Sequence, residues 1–316
     1  MKQNRILVSI CIPVYNEADN LELLYNELLK LCIKLDYNYD FEFIFTDNCS
    51  SDNSWEILKK LRKNDNRVRG FKFLSNIGFQ NSIRFNYLQA LGEVVVQLDA
   101  DLQDPPILIE NFLSEWEKGF KVVTGLRINR EEGKLIQNFR KLGYWFINAA
   151  SDHPIQQNAG DFRLLDRTVV ELIRNVKTPE PYLRGIISGF KFPESKIEYS
   201  RSKRNYGVSK FGIGQLVKLG MNGFLNHSQL PLKITNFAGF FAILISFLGV
   251  IYFTILRLLV PNFPRGFASL YILILFGIGI NSLTLGILGN YLRKIYIILN
   301  GENQIVVDDT LDYKKL

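Results

Sequence analysis

Two long stretches near the carboxyl end carry no charged residue, and they restrict the fold more than any other feature of the sequence. They run from Thr235 to Leu256 and from Phe267 to Leu292. About 20 apolar residues in a helix cross the hydrocarbon core of a bilayer. We therefore predict two transmembrane helices, at about 235–258 and 267–292. The alternative is a pair of buried core helices, although core helices seldom stay uncharged for so long.

The segment between the two stretches is short, so the predicted helices form an antiparallel hairpin within 234–299. It contains Pro261, Pro264 and Gly266, which suit a tight turn. Basic residues flank the hairpin, at Lys203, Arg204, Lys210, Lys218 and Lys233 before it and at Arg293, Lys294, Lys314 and Lys315 after it. The positive-inside bias then predicts a cytoplasmic N-terminal domain and a cytoplasmic tail, 300–316.

The first hundred residues alternate between strand and helix patterns. Apolar, β-branched runs predict strands at 6–13, 41–46, 68–74 and 93–98. Apolar residues at helical spacing predict helices at 18–35, 54–63 and 81–91. This order is typical of an α/β domain with a mostly parallel sheet covered on both faces.

Polar residues follow three of the predicted strands, where sheets of this kind bind their ligands. They form a first loop at 13–17, a second at 46–52 and a third at 99–106. The sequence has no GxGxxG or GxxxxGK[ST] run, so it lacks the signatures of dehydrogenases and P-loop nucleotide hydrolases.

The third loop contains two carboxylates separated by one residue, Asp99 and Asp101. Mg²⁺ is commonly held by one or two carboxylates together with substrate phosphates. A diphosphate leaving group needs its charge neutralised as the bond breaks. We therefore predict a Mg²⁺ or Mn²⁺ site here; the alternative is a solvated loop in which an aspartate caps the next helix.

Five motifs and the hairpin occur in order along nearly the whole chain. The motifs are IPVYNE at 12–17, DNCSSD at 47–52, DADLQDPP at 99–106, GDFRLLDR at 160–167 and RNYGVSKF at 204–211. With them the sequence resembles the family 2 glycosyltransferases of GT-A fold. It is most similar to the polyprenyl-phosphate glycosyltransferases, such as bactoprenol glucosyltransferases and dolichyl-phosphate mannose synthases. The resemblance implies a Rossmann-like GT-A catalytic domain at 1–210, followed by the transmembrane hairpin.

The resemblance also implies roles for individual residues. Pro13, Tyr15, Glu17 and Asp47 would bind the nucleotide; Asp99, Asp101 and Gln103 would bind the metal and the donor diphosphate; Asp161, Asp101 and Arg127 would form the catalytic set; and Arg163, Arg204, Ser209 and Lys210 would bind the acceptor phosphate. The segment holding Arg204 and Lys210 could equally receive the donor diphosphate. Cys49 stands where relatives often have glycine, and cysteine disfavours a positive φ.

Asp161 is the candidate catalytic carboxylate, and the sequence leaves two roles open for it. Transfer to a hydroxyl needs a general base. A lipid phosphate is already largely ionised, because the second pKa of a phosphate monoester is near 6. Asp161 then either removes a last proton or orients a substrate; a third reading is a helix cap.

The predicted reaction moves a hexose from a nucleotide-sugar to undecaprenyl phosphate with inversion, at the bacterial inner membrane. UDP-glucose is the first choice of donor, before UDP-N-acetylhexosamine, UDP-galactose and GDP-mannose. A processive polysaccharide synthase and a non-catalytic nucleotide-binding scaffold are the alternatives. The net charge of +7 suits anionic lipid, and no basic helix predicts a nucleic-acid partner.

The segment between the catalytic domain and the hairpin, 211–233, is amphipathic. It predicts either an interfacial helix on the lipid head groups or a core helix. In the second predicted membrane helix, small and polar residues favour close helix contact, either within the hairpin or between subunits, and we expect a homo-oligomer, a dimer or tetramer. These residues are Gly277, Gly279, Asn281, Ser282, Thr284, Gly286, Gly289 and Asn290.

Overall fold

A computed structural model of the chain describes residues 5–128, 159–176, 178, 181–200 and 305–312, with isolated positions between 241 and 296. The strands are β1 (Ile6–Val14), β2 (Tyr39–Asp47), β3 (Val68–Phe73), β4 (Val94–Gln97), β5 (Val122–Ile128), β6 (Ala159–Asp166), β7 (Glu194–Ser200) and β8 (Val307–Thr310). The helices are α1 (Ala18–Leu35), α2 (Ser54–Asn64), α3 (Phe79–Gln89), α4 (Ile109–Glu117), α5 (Arg167–Arg174) and α6 (Leu183–Gly189), with a 3₁₀ turn at Pro106–Leu108.

The strands form one eight-stranded sheet in the order β7-β5-β6-β4-β1-β2-β3-β8. The centre, β4-β1-β2-β3, is parallel, and the predicted alternation of strand and helix over the first hundred residues is confirmed. β6 is antiparallel to both β4 and β5, and β8 is antiparallel to β3. The carboxyl ends of the parallel strands therefore meet the start of β6 at one edge of the sheet.

Each face of the sheet is covered by helices. In β1, Ile10 and Ile12 pack on the side of α1, α2 and α4, whereas Cys11 packs on the side of α3, α5 and α6. This follows from the two-residue period of a strand. Because both faces are buried, the central strands are apolar nearly throughout, as parallel strands usually are.

The last described segment of the chain completes the sheet. β8 pairs with β3, and Leu311 lies so close to Gly70 that a Cβ on this glycine would be 2.9 Å from Leu311 Cδ1. The Arg69 guanidinium donates to Asp312 from Nε (3.0 Å) and Nη2 (2.8 Å), and to Glu42 from Nη1 (2.8 Å). All three charged side chains are buried, so the tail is anchored to the interior.

The predicted hairpin and the segment 211–233 lie largely outside the described residues. Within the described part of the chain, no helix has both the length and the apolar character needed to cross a membrane. The isolated positions that are described are helical. Several of them expose large apolar side chains, including Leu248, Ile255, Leu273 and Leu285.

Candidate active site

The carboxylates singled out in the sequence gather at the carboxyl edge of the sheet. Asp47 ends β2, and Asp99 follows β4 by two residues. Asp161 lies near the start of β6, which reaches the same edge because β6 runs antiparallel. The topology therefore assembles the site from segments more than 50 residues apart.

The three polar loops at this edge share an unusual backbone feature. Each contains one non-glycine residue with positive φ: Asn16 at 52°, Cys49 at 62° and Leu102 at 57°. Among the described residues only Lys191 also has this property outside glycine. A left-handed conformation costs a residue with a Cβ about 1–2 kcal/mol, and such strain clusters at functional sites. Cys49 thus adopts the positive φ that its side chain disfavours.

Hydrogen bonds fasten the first loop to the second. The Asn16 amide donates to Ser50 Oγ (2.9 Å), and its side-chain oxygen accepts from the Ser51 amide (2.7 Å). The Glu17 amide donates to Ser54 Oγ (3.1 Å). Beside these contacts Tyr15 is 41% exposed, whereas Pro13 is buried within β1. The two predicted nucleotide-binding loops therefore form one unit with a tyrosine on its surface.

Asp47 has the geometry of a hydrogen-bond acceptor for a ligand. Its Oδ1 accepts from the Ser50 amide (3.2 Å), while Oδ2 is buried and has no partner among the described groups. Burial raises the pKa of this carboxyl. A buried polar atom without a partner is costly, so an N–H of a bound base would satisfy Oδ2.

The side chain of Asn48, next to Asp47, makes hydrogen bonds to a neighbouring loop. Its Nδ2 donates to Asn76 Oδ1 (3.0 Å), and its Oδ1 accepts from the Ile77 amide (2.9 Å). The amide therefore ties the second loop to the connection between β3 and α3.

Asp99 and Asp101 carry the features expected of a cation site. Asp99 Oδ1 is buried without a partner among the described groups, and Asp101 Oδ1 accepts from the Gln103 amide (3.2 Å). Burial and the nearby carboxylates of Asp104, Asp101 and Asp161 raise the pKa of Asp99 to about 7. Excess negative charge of this kind attracts a cation.

The described residues contain no group of three or more His, Cys, Asp or Glu side chains arranged to hold a metal. Mg²⁺ is nevertheless commonly bound by one or two carboxylates plus substrate phosphates and water. Asp99 and Asp101 fit that mode, with Gln103 on the same loop.

Arg127 lies in a buried ion pair. Its Nη2 donates to Asp104 Oδ2 (3.0 Å) and its Nε to Tyr199 Oη (3.2 Å), while Tyr199 Oη donates to Asp104 Oδ1 (2.5 Å). The side chains of Arg127 and Asp104 are 9% and 0% exposed. Gly160 makes room for the guanidinium, because a Cβ there would be 2.8 Å from Arg127 Nη2. The predicted catalytic arginine is thus held by protein groups.

Asp161 is clamped by an arginine that the sequence did not single out. Arg184 donates from Nε to Oδ1 (2.8 Å) and from Nη2 to Oδ2 (2.7 Å). Burial alone would raise the pKa of Asp161, but the charges of Arg184, Arg163 and Arg127 lower it to about 2. A carboxylate with so low a pKa is a weak proton acceptor at neutral pH, which favours the orienting role over the general base.

Of the four residues predicted to bind the acceptor phosphate, only one lies among the described residues. Arg163 is 5% exposed and donates from Nη2 to the Gly160 carbonyl (3.0 Å), so it lies behind the surface of the site. Arg204, Ser209 and Lys210 lie outside the described residues.

Sequence reasoning did not assign Asp104, Tyr199 or Arg184. Asp104 could have been found, because it is the third carboxylate of the Asp99–Asp104 loop. Tyr199 and Arg184 have no motif around them, and only the packing of β7 and α6 brings them to the site.

The chain is similar to known glycosyltransferases. The model of the family described as Glycosyl transferase family 2 matches residues 9–173. An uncharacterized glycosyltransferase of Bacillus subtilis, YkcC, is 35% identical over 92% of this chain and 90% of its own length. The SfII prophage-derived bactoprenol glucosyl transferase of Shigella flexneri is 31% identical over 95% of this chain and 97% of its own.

Among solved structures, a mannosyltransferase of Pyrobaculum calidifontis in complex with GDP-Man and Mn²⁺ aligns with a TM-score of 0.45 and 17% identity, over 65% of this chain and 59% of its own. That likeness is too weak to assign a ligand.

Proposed function

Because this chain belongs to glycosyl transferase family 2, we propose that it moves a hexose from a nucleotide-sugar to a polyprenyl phosphate at a membrane surface. The observation that carries the proposal is that Asp47, Asp99 and Asp101 lie at one edge of the sheet, where two buried carboxylate oxygens, Asp47 Oδ2 and Asp99 Oδ1, have no partner among the described groups. Relatives named bactoprenol glucosyl transferase support the lipid acceptor and make glucose the first choice of sugar.

Different residues of the chain would bind different parts of the nucleotide-sugar donor. Asp47 Oδ2 would accept an N–H of the base, and exposed Tyr15 would cover the base or ribose. Asp99 and Asp101, with Gln103, would hold Mg²⁺ or Mn²⁺. The metal, when bound, would offset the charge that develops on the departing diphosphate.

The proposed transfer is a single displacement with inversion. An oxygen of the lipid phosphate forms a bond to C1 of the sugar, while the bond from C1 to the diphosphate oxygen breaks and the nucleoside diphosphate leaves with the electron pair. The phosphate needs no base when it is dianionic, as it largely is above pH 6. This agrees with an Asp161 that Arg184 keeps ionised and oriented.

The proposed location is the cytoplasmic face of a bacterial inner membrane, with the segment 234–299 as the anchor and homo-oligomer contacts along the second helix. Its support is the absence of charge from 235–256 and 267–292 and the basic residues on either side. Exposed apolar side chains at described helical positions, such as Leu248 and Leu273, agree with a lipid environment.

The test is an assay of the full chain in detergent. It would combine undecaprenyl phosphate, Mn²⁺ or Mg²⁺ and, one at a time, radiolabelled UDP-glucose, UDP-galactose, UDP-N-acetylhexosamines and GDP-mannose, with organic extraction of the product. We expect label in the organic phase for one donor, lost on chelation with EDTA. The variant Asp101→Asn should abolish it, whereas Asp36→Asn, at an exposed carboxylate on the surface, should not.

Absence of labelled lipid with every donor, in folded protein that binds UDP, would overturn the proposed reaction. It would instead favour the non-catalytic scaffold. Label that survives both EDTA and Asp101→Asn would overturn the proposed metal site alone.

A further inference from the structure

Three arginines surround Asp161, and they differ in their exposure to solvent. Arg127 and Arg163 are nearly buried, at 9% and 5%, whereas the side chain of Arg184 is 30% exposed. Arg127 is held by Asp104 and Tyr199. Of these three guanidinium groups, that of Arg184 is therefore the most accessible to a ligand.

The guanidinium of Arg184 is ordered by protein groups before any ligand binds. Asp161 receives two parallel hydrogen bonds from it, which hold the plane of the guanidinium. Gln80 supports both partners, since its Nε2 donates to Asp161 Oδ2 (3.5 Å) and its Oε1 accepts from the Leu183 amide at the start of α6 (3.1 Å). A group ordered before binding loses less entropy when the ligand arrives.

The electrostatics explain why an arginine belongs here. The proposed reaction brings a diphosphate and a lipid phosphate to an edge that already holds Asp99, Asp101 and Asp104. Arginine binds phosphate oxygens in pairs and keeps its charge at any working pH.

We propose that Arg184 binds a substrate phosphate and that Asp161 is the positioning residue that holds its guanidinium for this purpose. The proposal rests on the proposed function. The ligand is an anionic phosphate group, for which the lipid acceptor and the donor diphosphate are the two sources. Asp161 then acts through Arg184 and takes no proton during transfer.

The experiment compares Arg184→Ala, Arg184→Lys, Asp161→Asn and the double variant Asp161→Asn/Arg184→Ala, with Arg62→Ala on the surface of α2 as the matched control. Three quantities are measured: the Kd of UDP with Mn²⁺ by calorimetry, direct binding of radiolabelled undecaprenyl phosphate, and the KM for each substrate. The first two need no turnover. Melting temperatures establish that each variant is folded.

We expect Arg184→Ala to weaken lipid-phosphate binding about 10- to 100-fold, the range for a hydrogen bond to a charged group. UDP affinity should not change. Arg184→Lys should keep only part of the binding, because lysine lacks the planar fork. Asp161→Asn should resemble Arg184→Ala, and the double variant should be no worse than either, since residues that act as a unit are not additive.

Weakened UDP binding with unchanged lipid binding would support the proposal with the donor diphosphate as its source. Unchanged binding of both substrates in a folded Arg184→Ala protein would overturn it. If the unmodified protein binds both substrates but transfers no sugar, the proposed function fails while the binding comparison still tests Arg184.

Discussion

The guanidinium of Arg127 forms an ion pair with the carboxylate of Asp104, with Nη2 3.0 Å from Oδ2, and both side chains are buried. Removing one partner of a buried ion pair leaves an uncompensated charge and typically costs about 3–5 kcal/mol. We therefore expect Arg127→Met to lower the stability of the protein by about that amount. The measurement is thermal unfolding in detergent.

The matched control for Arg127 is the double variant Asp104→Asn/Arg127→Met, which removes both charges. It should be less destabilised than the sum of the two single variants, because no lone charge remains. An Arg127→Met protein that melts like the unmodified one but no longer binds UDP would instead make Arg127 a ligand of the donor phosphates.

The loss of activity at low pH, the acid limb of the pH–rate profile, should not be set by the pKa of Asp161. The pKa of Asp161 is lowered to about 2, so this carboxylate stabilises the fold above its unfolded pKa and loses that contribution only as pH falls from about 4 towards 2. With Mn²⁺ at saturation, which keeps the proposed metal ligand Asp99 ionised although burial and its carboxylate neighbours raise its pKa to about 7, the rate between pH 5 and 8 should follow the lipid phosphate, with a midpoint of about 6. The measurement is kcat/KM against pH.

Residual activity of Asp161→Asn should show the same acid limb as the unmodified protein. Disappearance of the limb in that variant would restore the general-base role for Asp161.

Cys49 should be the one cysteine that reacts readily with a maleimide. It is exposed, whereas Cys11 and Cys32 are buried. Burial raises the pKa of the Cys32 thiol to about 11, and it also raises that of Cys11. Because Cys49 lies two residues after Asp47, we expect UDP with Mn²⁺ to slow the labelling of Cys49. Mass spectrometry measures the rate of labelling.

Cys49→Ser is the control for that experiment and should remove the fast label. Labelling of Cys49 at the same rate with and without saturating UDP would show that the second loop does not border the nucleotide.

Asp312 should stabilise the catalytic domain although it lies at the far end of the chain. Its carboxylate and Glu42 share the buried guanidinium of Arg69. Asp312→Ala should lower the melting temperature, because Arg69 loses two charge-assisted hydrogen bonds. Asp308→Ala is the matched control, since this carboxylate lies 3.8 Å from Lys72 and is half-exposed. Equal melting temperatures for the two variants would contradict the prediction.

The sequence was sufficient to predict the first four strands and first three helices, because each carries its own hydrophobic period. α1 begins and ends where the spacing of leucines predicts, at Ala18–Leu35. α3 begins two residues earlier than predicted, at Phe79. Such local patterns also place the polar loops, since polar residues follow each apolar strand.

Long-range pairing was beyond the sequence pattern. Nothing local in β6 marks it as antiparallel between β4 and β5, and nothing in Val307–Thr310 marks a strand that pairs with β3. The same limit applies to the site. Asp99 and Asp101 lie in a recognisable motif, whereas the partner of Asp161 depends on how α6 packs against the sheet.

The pairing of β3 with β8 restricts the membrane topologies that the chain can adopt. Phe73 and Val307 lie opposite each other, so β8 belongs to the same sheet as β7. The described residues that precede 201 and those that follow 304 therefore lie on the same side of any membrane. The connection that leads to β8 is also short. Eight residues lie between Tyr296 and Ile305, and a chain of nine steps reaches at most about 32 Å, so β8 lies within that distance of the helical position Tyr296.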